Sequence, residues 1–241
     1  MNIAVDPKRS IILLAFVFAC LAAAHVIGQA VLSYFGHDYV GREVMVLVEL
    51  FDFGSEGNLP TLYSSVLLLL CSILLAVIGE ARRGSGAVFG RHWRWLALIF
   101  LYLCVDESVS LHEHLNRPLR AILDLPGFFH YAWVIPYSIT LGLLLLWYRG
   151  FIAHLPEGTR LLFLIAGITY VSGALGMEVL KAHLAVLHGK ETASYATVST
   201  IAESLEMLGL LLFVYALMSY VKSDLKDLRL SIGDAYPDGS E

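Results

Sequence analysis

The amino-acid sequence predicts an all-α protein, a polytopic membrane helical bundle of six transmembrane helices plus one interfacial or re-entrant helix. The first observation is the composition: 58% of the 241 residues are hydrophobic and 15% are charged, whereas soluble domains average about 45–50% apolar and about 25% charged residues. Mean hydropathy is correspondingly high, at +0.71. The second observation is that apolar runs of about 20 residues recur, the length that crosses the hydrocarbon core of a bilayer. The lipid bilayer is therefore the first predicted partner.

The first predicted span covers about residues 11–35. The connection from Gly36 to Leu59 is too apolar for an ordinary loop, because valines and leucines alternate there with acidic residues. This pattern indicates an interfacial or re-entrant helix, which we expect to end at Gly54.

Five further spans are expected, each bounded by polar, glycine or proline residues. The fifth of the six contains Gly173 and Gly176, small residues that suit close helix packing. The five ranges are about 59–79, 94–115, 129–148, 160–187 and 197–221. The spans form one domain, residues 1–221, and a charged tail, residues 222–241, follows it.

The positions of the basic residues predict the orientation. If the helices alternate, eleven of the sixteen lysines and arginines fall on one side of the membrane, and the positive-inside rule makes that side the cytoplasm. Both termini are then cytoplasmic, and the cell inner membrane is the predicted location. A net charge of −5, with the basic residues spread along membrane edges, argues against a nucleic-acid partner.

One stretch places ionisable residues directly after an apolar run. Residues 95–105 are apolar throughout, and Asp106, Glu107, Glu113 and His114 follow them. On a continuous helix at about 100° per residue these four side chains share one broad face, whereas His112 projects away from it. A charge near the middle of a span costs about 2.5–3.5 kcal/mol, so it persists where it faces the interior, pairs or binds an ion. We therefore expect this face to line a cavity.

Acids on two later spans lie at a similar depth. Counting about 1.5 Å per residue from the outer end of each span places Glu178, Glu203 and Glu206 about 9–14 Å deep, close to the depth of Glu107. The outer halves of the spans are therefore expected to share one acidic cavity. Lys181 follows Glu178 by three residues, so a local ion pair is a simpler explanation for that acid.

Carboxylates with one or two histidines form a donor set for a divalent Fe, Mn or Zn ion. The leading hypothesis is a metal-dependent membrane enzyme, a hydrolase or an oxidoreductase, acting on a lipid or another apolar substrate from the bilayer. Asp106 or Glu113 is the expected general base or ligand-orienting partner. The candidate metal ligands are Glu107, His114, Glu203 and Glu206, with Glu178 on an adjoining wall.

Three other interpretations stay open. A proton- or cation-coupled transporter could use the same carboxylates, since neighbouring acids exchange protons. A b-type haem could lie between histidines such as His25, His130 and His183. The chain could also be a structural subunit of a membrane complex. The sequence leaves open the substrate, the oligomeric state and the roles of His25, His112, His130 and His183.

Overall fold

A computed structural model describes residues 6–36, 39–83, 89–123, 131–190 and 192–225. Every regular element in these residues is a helix. In chain order they are α1 (Pro7–Phe35), α2 (Arg42–Leu50), α3 (Leu59–Arg83), α4 (Gly90–Val109), α5 (Leu111–Leu123), α6 (Val134–His154), α7 (Glu157–Val171), a π-helical segment (Ser172–Met177), α8 (Glu178–His188) and α9 (Ala193–Asp224).

The described helices confirm the predicted class, an all-α protein with several membrane-spanning helices. Five of them are long and apolar enough to cross a membrane: α1, α3, α6, the continuous run Glu157–His188, and α9. The pair α4 and α5 makes a sixth crossing if it counts as one span. His130 and residues 226–241, which the sequence assigns to the fourth span and the tail, lie outside the described residues.

Helix α9 is the centre of the bundle. It packs against α1, α3, α7 and α8, and α3 in turn packs along α4. The side chains at these contacts are fully buried leucine, valine and methionine, including Leu67, Leu75, Met207 and Leu217. Helices α1 and α6 are peripheral, with most of their apolar side chains on the outside, as expected of surfaces that face lipid rather than water.

Helix α4 ends earlier than the sequence suggests. The predicted third span, 94–115, is two helices that differ in direction by 81°. They meet at Ser110, which has a left-handed backbone with φ of 54°. The Asp106 side chain stabilises this bend because its Oδ1 accepts the backbone N–H of His112 at 2.8 Å. Glu113 and His114 therefore do not continue the helical face of Asp106, as the single-helix prediction assumed.

The predicted interfacial helix corresponds to α2, which ends at Leu50 rather than at Gly54. Asn58 closes the connection that follows, since its Nδ2 donates to the Ser55 carbonyl at 2.9 Å and its Oδ1 accepts the Thr61 backbone N–H at 3.1 Å. The second bond satisfies a free N–H in the first turn of α3. This connection and α5 lie at the same end of the bundle, called the α5 end below.

Candidate functional site

A cavity of about 1180 Å³ lies between α4, α6, α7 with its π-helical segment, and α9. Most of its length is apolar. Phe100, Phe163 and Phe213 form a stacked and edge-to-face group there, and Leu144 of α6 faces them across the space. The polar lining residues collect toward the α5 end. The cavity is therefore amphipathic along its length.

The polar part of the cavity is rich in carboxylates. The acids that line it are Asp52, Glu56, Asp106, Glu107, Glu113, Glu178, Glu203 and Glu206. Six of these eight were singled out from the sequence, and Asp52 and Glu56 come from the connection after α2. The basic side chains in the lining are His25, His112, Lys181 and Lys190. Among the described lining residues, acids thus outnumber cations.

Two of the acids have a histidine between them. His112 Nδ1 lies 3.3 Å from Asp106 Oδ2, and His112 Nε2 lies 3.5 Å from Glu56 Oε1. The imidazole ring also packs on Trp133, with ring centroids 4.6 Å apart. Sequence reasoning ranked His112 below His114 because it assumed one continuous helix. The bend at Ser110 turns His112 toward Asp106.

His114 lies away from the cavity. Its side chain is exposed, its ring Nδ1 is 2.8 Å from the Ser110 carbonyl oxygen, and it is not among the lining residues. Glu113, although exposed, does line the cavity. Of the residues predicted between positions 106 and 114, the structure therefore brings Asp106, Glu107 and Glu113 to the cavity and leaves His114 outside it.

Glu178 forms an ion pair with Lys181 inside the lining. A Glu178 carboxylate oxygen accepts a hydrogen bond from the Lys181 ammonium, and both side chains are nearly buried. The local pair that the sequence suggested for Glu178 is present. The Lys181 ammonium is therefore paired with Glu178.

Glu107, Glu203 and Glu206 are in a different situation. All three line the cavity, Glu107 from α4 and Glu203 and Glu206 from α9. Within the described part of the chain, none of the three has a hydrogen bond or an ion pair at contact distance. The described residues also contain no group of three histidines, cysteines or acids arranged to hold a metal ion. These three half-buried glutamates, called the glutamate trio below, line the cavity, and no cation of the described residues is within ion-pair distance of them.

Ser199 lies one helical turn before Glu203 on α9 and also lines the cavity. It is only 1% exposed, and its Oγ has no hydrogen-bond partner among the described residues. Because buried hydroxyl groups in proteins are nearly always hydrogen-bonded, an unpartnered one beside a cavity is unusual. The sequence had already placed Ser199 on the face of Glu203 and Glu206.

The π-helical segment is packed directly against α9 at Glu206. A Cβ atom added to Gly173 would lie 2.5 Å from the Ala202 carbonyl oxygen and 2.8 Å from Glu206 Cγ. Only glycine allows this approach, so Gly173 helps to fix the position of Glu206. Short π-helical insertions within α-helices occur frequently at functional sites.

His25 connects three elements at the α5 end. Its Nδ1 accepts the Phe53 backbone N–H at 3.1 Å, and its Nε2 lies 2.9 Å from Thr200 Oγ1. Asp52, 3.4 Å from the ring, is itself held by Gln29. Both ring nitrogens are engaged, so His25 serves to tie α1 and α9 to the connection after α2. His183 of α8 is not a lining residue.

Tyrosine pairs in the lining were missed from the sequence. Tyr131 and Tyr195 share a hydrogen bond of 2.7 Å, and Tyr102 and Tyr137 share another of the same length. The spacing on α4 could have indicated one of these tyrosines, because Tyr102 precedes Asp106 by one helical turn and so lies on the same face. The partners come from other helices, so periodicity within one helix could not reveal the pairs.

The cavity is open sideways, between α6 and its neighbours. Near the two ends of the cavity, α6 is joined to α4 by the Tyr102–Tyr137 bond and by Tyr148 OH, which donates to the His92 carbonyl at 3.0 Å. Between these points, lining residues remain open to the surroundings of the protein: Leu98 of α4 is 54% exposed and Leu145 of α6 is also 54% exposed. The wall of the cavity is therefore not closed between α4 and α6.

The fold and the cavity together define a polytopic helical membrane protein with an amphipathic internal cavity. Residues 7–221 match a protein family whose description is "Domain of unknown function (DUF8692)", and the chain belongs to that family. No curated protein and no solved structure matches the chain.

Proposed function

We propose that this protein is a membrane enzyme that admits a lipid or another apolar molecule from the bilayer and acts on it at the glutamate trio. The observation that carries the proposal is the shape of the cavity: an apolar length of wall, a lateral opening, and acids at one end. Its volume of about 1180 Å³ is at or above the upper end of the usual range for small-molecule sites, about 300–1,000 Å³. A single acyl chain with a polar end fits that description.

Filling the cavity from α6 tests the proposal. Leu144 lines the cavity, whereas Leu143 beside it is 64% exposed and is not a lining residue. Leu144→Trp is expected to reduce binding of a 16-carbon alcohol to the purified protein by about tenfold or more, because the indole occupies the space of the chain. Leu143→Trp, which adds the same group to the outer surface, is expected to bind as the unchanged protein does. Native mass spectrometry of the detergent-solubilised protein gives the bound fraction.

Two results of this comparison contradict the proposal. One is equal binding by the Leu144→Trp and Leu143→Trp proteins, because the chain would then lie on the outer surface. The other is no saturable binding of a long-chain amphiphile to the unchanged protein.

The chemistry at the polar end is proposed to involve a divalent Fe, Mn or Zn ion. Glu107, Glu203 and Glu206 would supply carboxylate oxygens, and a bound ion's charge would offset theirs. Their side chains are not arranged to hold an ion in this structure, so they would have to move together when it binds. Such an ion lowers the pKa of bound water and so provides a nucleophile, or it serves as a redox centre. Glu113 at the rim is then the candidate general base, while Asp106 is held by His112. His114 lies outside the cavity, so substrate or water would have to complete the ligand set.

A proton- or cation-coupled transporter is the second candidate. It is favoured by two observations on the described residues: no cation is within ion-pair distance of the glutamate trio, and no group of three side chains is arranged to hold a metal ion. Proton exchange among such acids needs no bound metal.

Elemental analysis separates these two candidates. The enzyme hypothesis predicts about one Fe, Mn or Zn per chain, with a loss of most of it in Glu107→Ala or Glu206→Ala, since each removes a carboxylate ligand. Glu157→Ala, at the exposed start of α7, is the matched control and should keep the metal. Metal-free protein that takes up a substrate into liposomes in a pH-dependent manner would instead establish the transporter.

The location in the cell inner membrane with both termini in the cytoplasm belongs to the same proposal. It is supported by the distribution of lysine and arginine along the chain. In this orientation the α5 end, with the acids, faces the outside of the membrane. A substrate would then reach the glutamate trio with its polar end at the outer leaflet.

A further inference from the structure

We propose that the preferred occupant of the cavity is an amphiphile with a compact ammonium end, which the glutamate trio binds while the chain lies along the apolar wall. This inference rests on the cavity part of the proposed function, because it names the class of molecule that enters the cavity. It applies to the protein without a metal ion, since a bound divalent ion would neutralise the same carboxylates and repel an ammonium. It is carried by the charge distribution of the lining and by Ser199.

The cations in the lining are already engaged with other groups. Lys181 is bonded to Glu178, and His112 lies between Asp106 and Glu56. The Lys190 ammonium lies 5.3 Å from the centre of the Tyr131 ring, over its face. In the described part of the chain no cation is within ion-pair distance of the glutamate trio, because the cations near it are bonded to other groups. Since an uncompensated charge away from water is costly, a ligand that brings a positive charge gains the most free energy here.

Ser199 is the second and independent observation. Its buried Oγ has no partner among the described residues, and it lies one turn from Glu203 on the same side of α9. A primary ammonium has three N–H donors and no acceptor. One can be donated to Ser199 and the others to glutamate oxygens, and such charge-assisted hydrogen bonds are stronger than neutral ones.

The same donor and acceptor requirements exclude other polar ends. A phosphate or carboxylate end brings a further negative charge toward the glutamate trio. A hydroxyl end can donate one hydrogen bond but leaves the negative charges uncompensated. A trimethylammonium end has the charge but no N–H. Its usual site is a cage of aromatic rings, whereas the face of the Tyr131 ring already has the Lys190 ammonium over it.

The apolar part of the cavity suits a long single chain. On α4, Trp95 lines the cavity twelve residues before Glu107, a distance of about 18 Å along a helix axis. Lining residues of α6 and α9 cover the same length. A 16-carbon chain is therefore a suitable probe, with only its polar end varied.

The experiment compares four 16-carbon amphiphiles on the purified full-length protein: a primary amine, a trimethylammonium, an alcohol and a carboxylate. Native mass spectrometry at a fixed detergent concentration gives the apparent Kd of each. We expect the amine to bind about tenfold or more tightly than the alcohol, which corresponds to about 1.4 kcal/mol. We expect the trimethylammonium to bind less tightly than the amine, and the carboxylate to bind less tightly than the alcohol.

Variants of the same side-chain size test whether the glutamate trio causes the preference for the amine. Glu203→Gln, Glu206→Gln and Glu107→Gln keep the side-chain size and remove the charge. Each is expected to weaken amine binding by about tenfold, while alcohol binding stays within about twofold and shows that the variant is folded. Ser199→Ala is expected to weaken amine binding less than these. Glu157→Gln, at the exposed start of α7 away from the cavity, should change neither affinity.

The failures of the two proposals can be distinguished. If the alcohol and the amine bind equally, or if the amine preference survives the triple Glu107→Gln, Glu203→Gln, Glu206→Gln change, the ammonium proposal is wrong and the cavity proposal stands. If none of the four amphiphiles binds in a way that Leu144→Trp reduces, the cavity proposal itself is wrong.

Discussion

Replacing Gly209 or Gly173 with valine is expected to cost about 3 kcal/mol each, at the upper end of the range for overpacking a well-packed interior. A Cβ atom at position 209 would lie 2.6 Å from the Tyr170 backbone nitrogen and 2.8 Å from the Tyr170 Cα. At position 173 the nearest atom, at 2.5 Å, is the Ala202 carbonyl oxygen. In both cases the nearest atom belongs to the backbone, so no side chain can rotate to make room. Valine at position 209 must push α7 away from α9, and valine at position 173 must push the π-helical segment away from α9.

The measurement is the thermal unfolding midpoint of each purified variant in one detergent. The controls are valine substitutions at two glycines with open surroundings. No atom lies within 4 Å of a Cβ added to Gly142 or Gly167. Gly142→Val and Gly167→Val are therefore expected to stay within about 0.5 kcal/mol of the unchanged protein. If Gly209→Val is as stable as Gly142→Val, the close approach of α7 and α9 described here is wrong.

These two glycines also show how far sequence reasoning reached. Gly173 was predicted to serve close packing because it sits in a run of small residues, but Gly209 lies among leucines and gave no such signal. The number and class of the helices were predictable because the length of an apolar run is a local property of the chain. Which helices touch depends on residues far apart in sequence. The loose packing of α6, and hence the lateral opening, was for this reason not predictable.

The candidate site was predicted in part. Counting depth along each span grouped Glu107, Glu178, Glu203 and Glu206, and the structure places all four in the lining of one cavity. The depth of a residue in a span, like the length of an apolar run, can be counted from the neighbouring sequence. The prediction was wrong for the residues after Ser110. It assigned side-chain directions as if one helix continued through Ser110, whereas α4 ends there. The helix axis changes direction by 81° at this residue. His112 therefore lines the cavity and His114 lies outside it, the reverse of what the single-helix prediction gave.

The bend itself depends on a bond that a pattern of apolar and polar residues does not encode. Asp106 uses one carboxylate oxygen to accept the His112 backbone N–H and the other to contact the His112 ring. Glu56, the second partner of that ring, comes from the connection after α2. Three segments thus meet at one histidine. Patterns in the sequence describe each segment separately, so they do not predict a contact among three segments.

Replacing His112 with alanine is expected to lower stability by about 3 kcal/mol, near the lower end of the cost of breaking a buried ion pair. Asp106 is 5% exposed, so it would lose its cationic neighbour in a place where water cannot compensate. The Glu56 side chain is 34% exposed, and its share of the loss is therefore small. The bend at Ser110 should persist, because the backbone N–H at position 112 still donates to Asp106.

His114→Ala is the matched control for this change, since it removes the same side chain from the exposed face of the same helix. Its thermal midpoint is expected to stay within the range of neutral surface substitutions, about 0.5 kcal/mol. Combining His112→Ala with Asp106→Asn should restore part of the lost stability, because the acid left without a partner is then neutral. Additive losses in that double variant, or equal losses in His112→Ala and His114→Ala, would show that His112 does not compensate Asp106. The contribution of residue 112 would then come from its backbone bond to Asp106 and from its packing on Trp133.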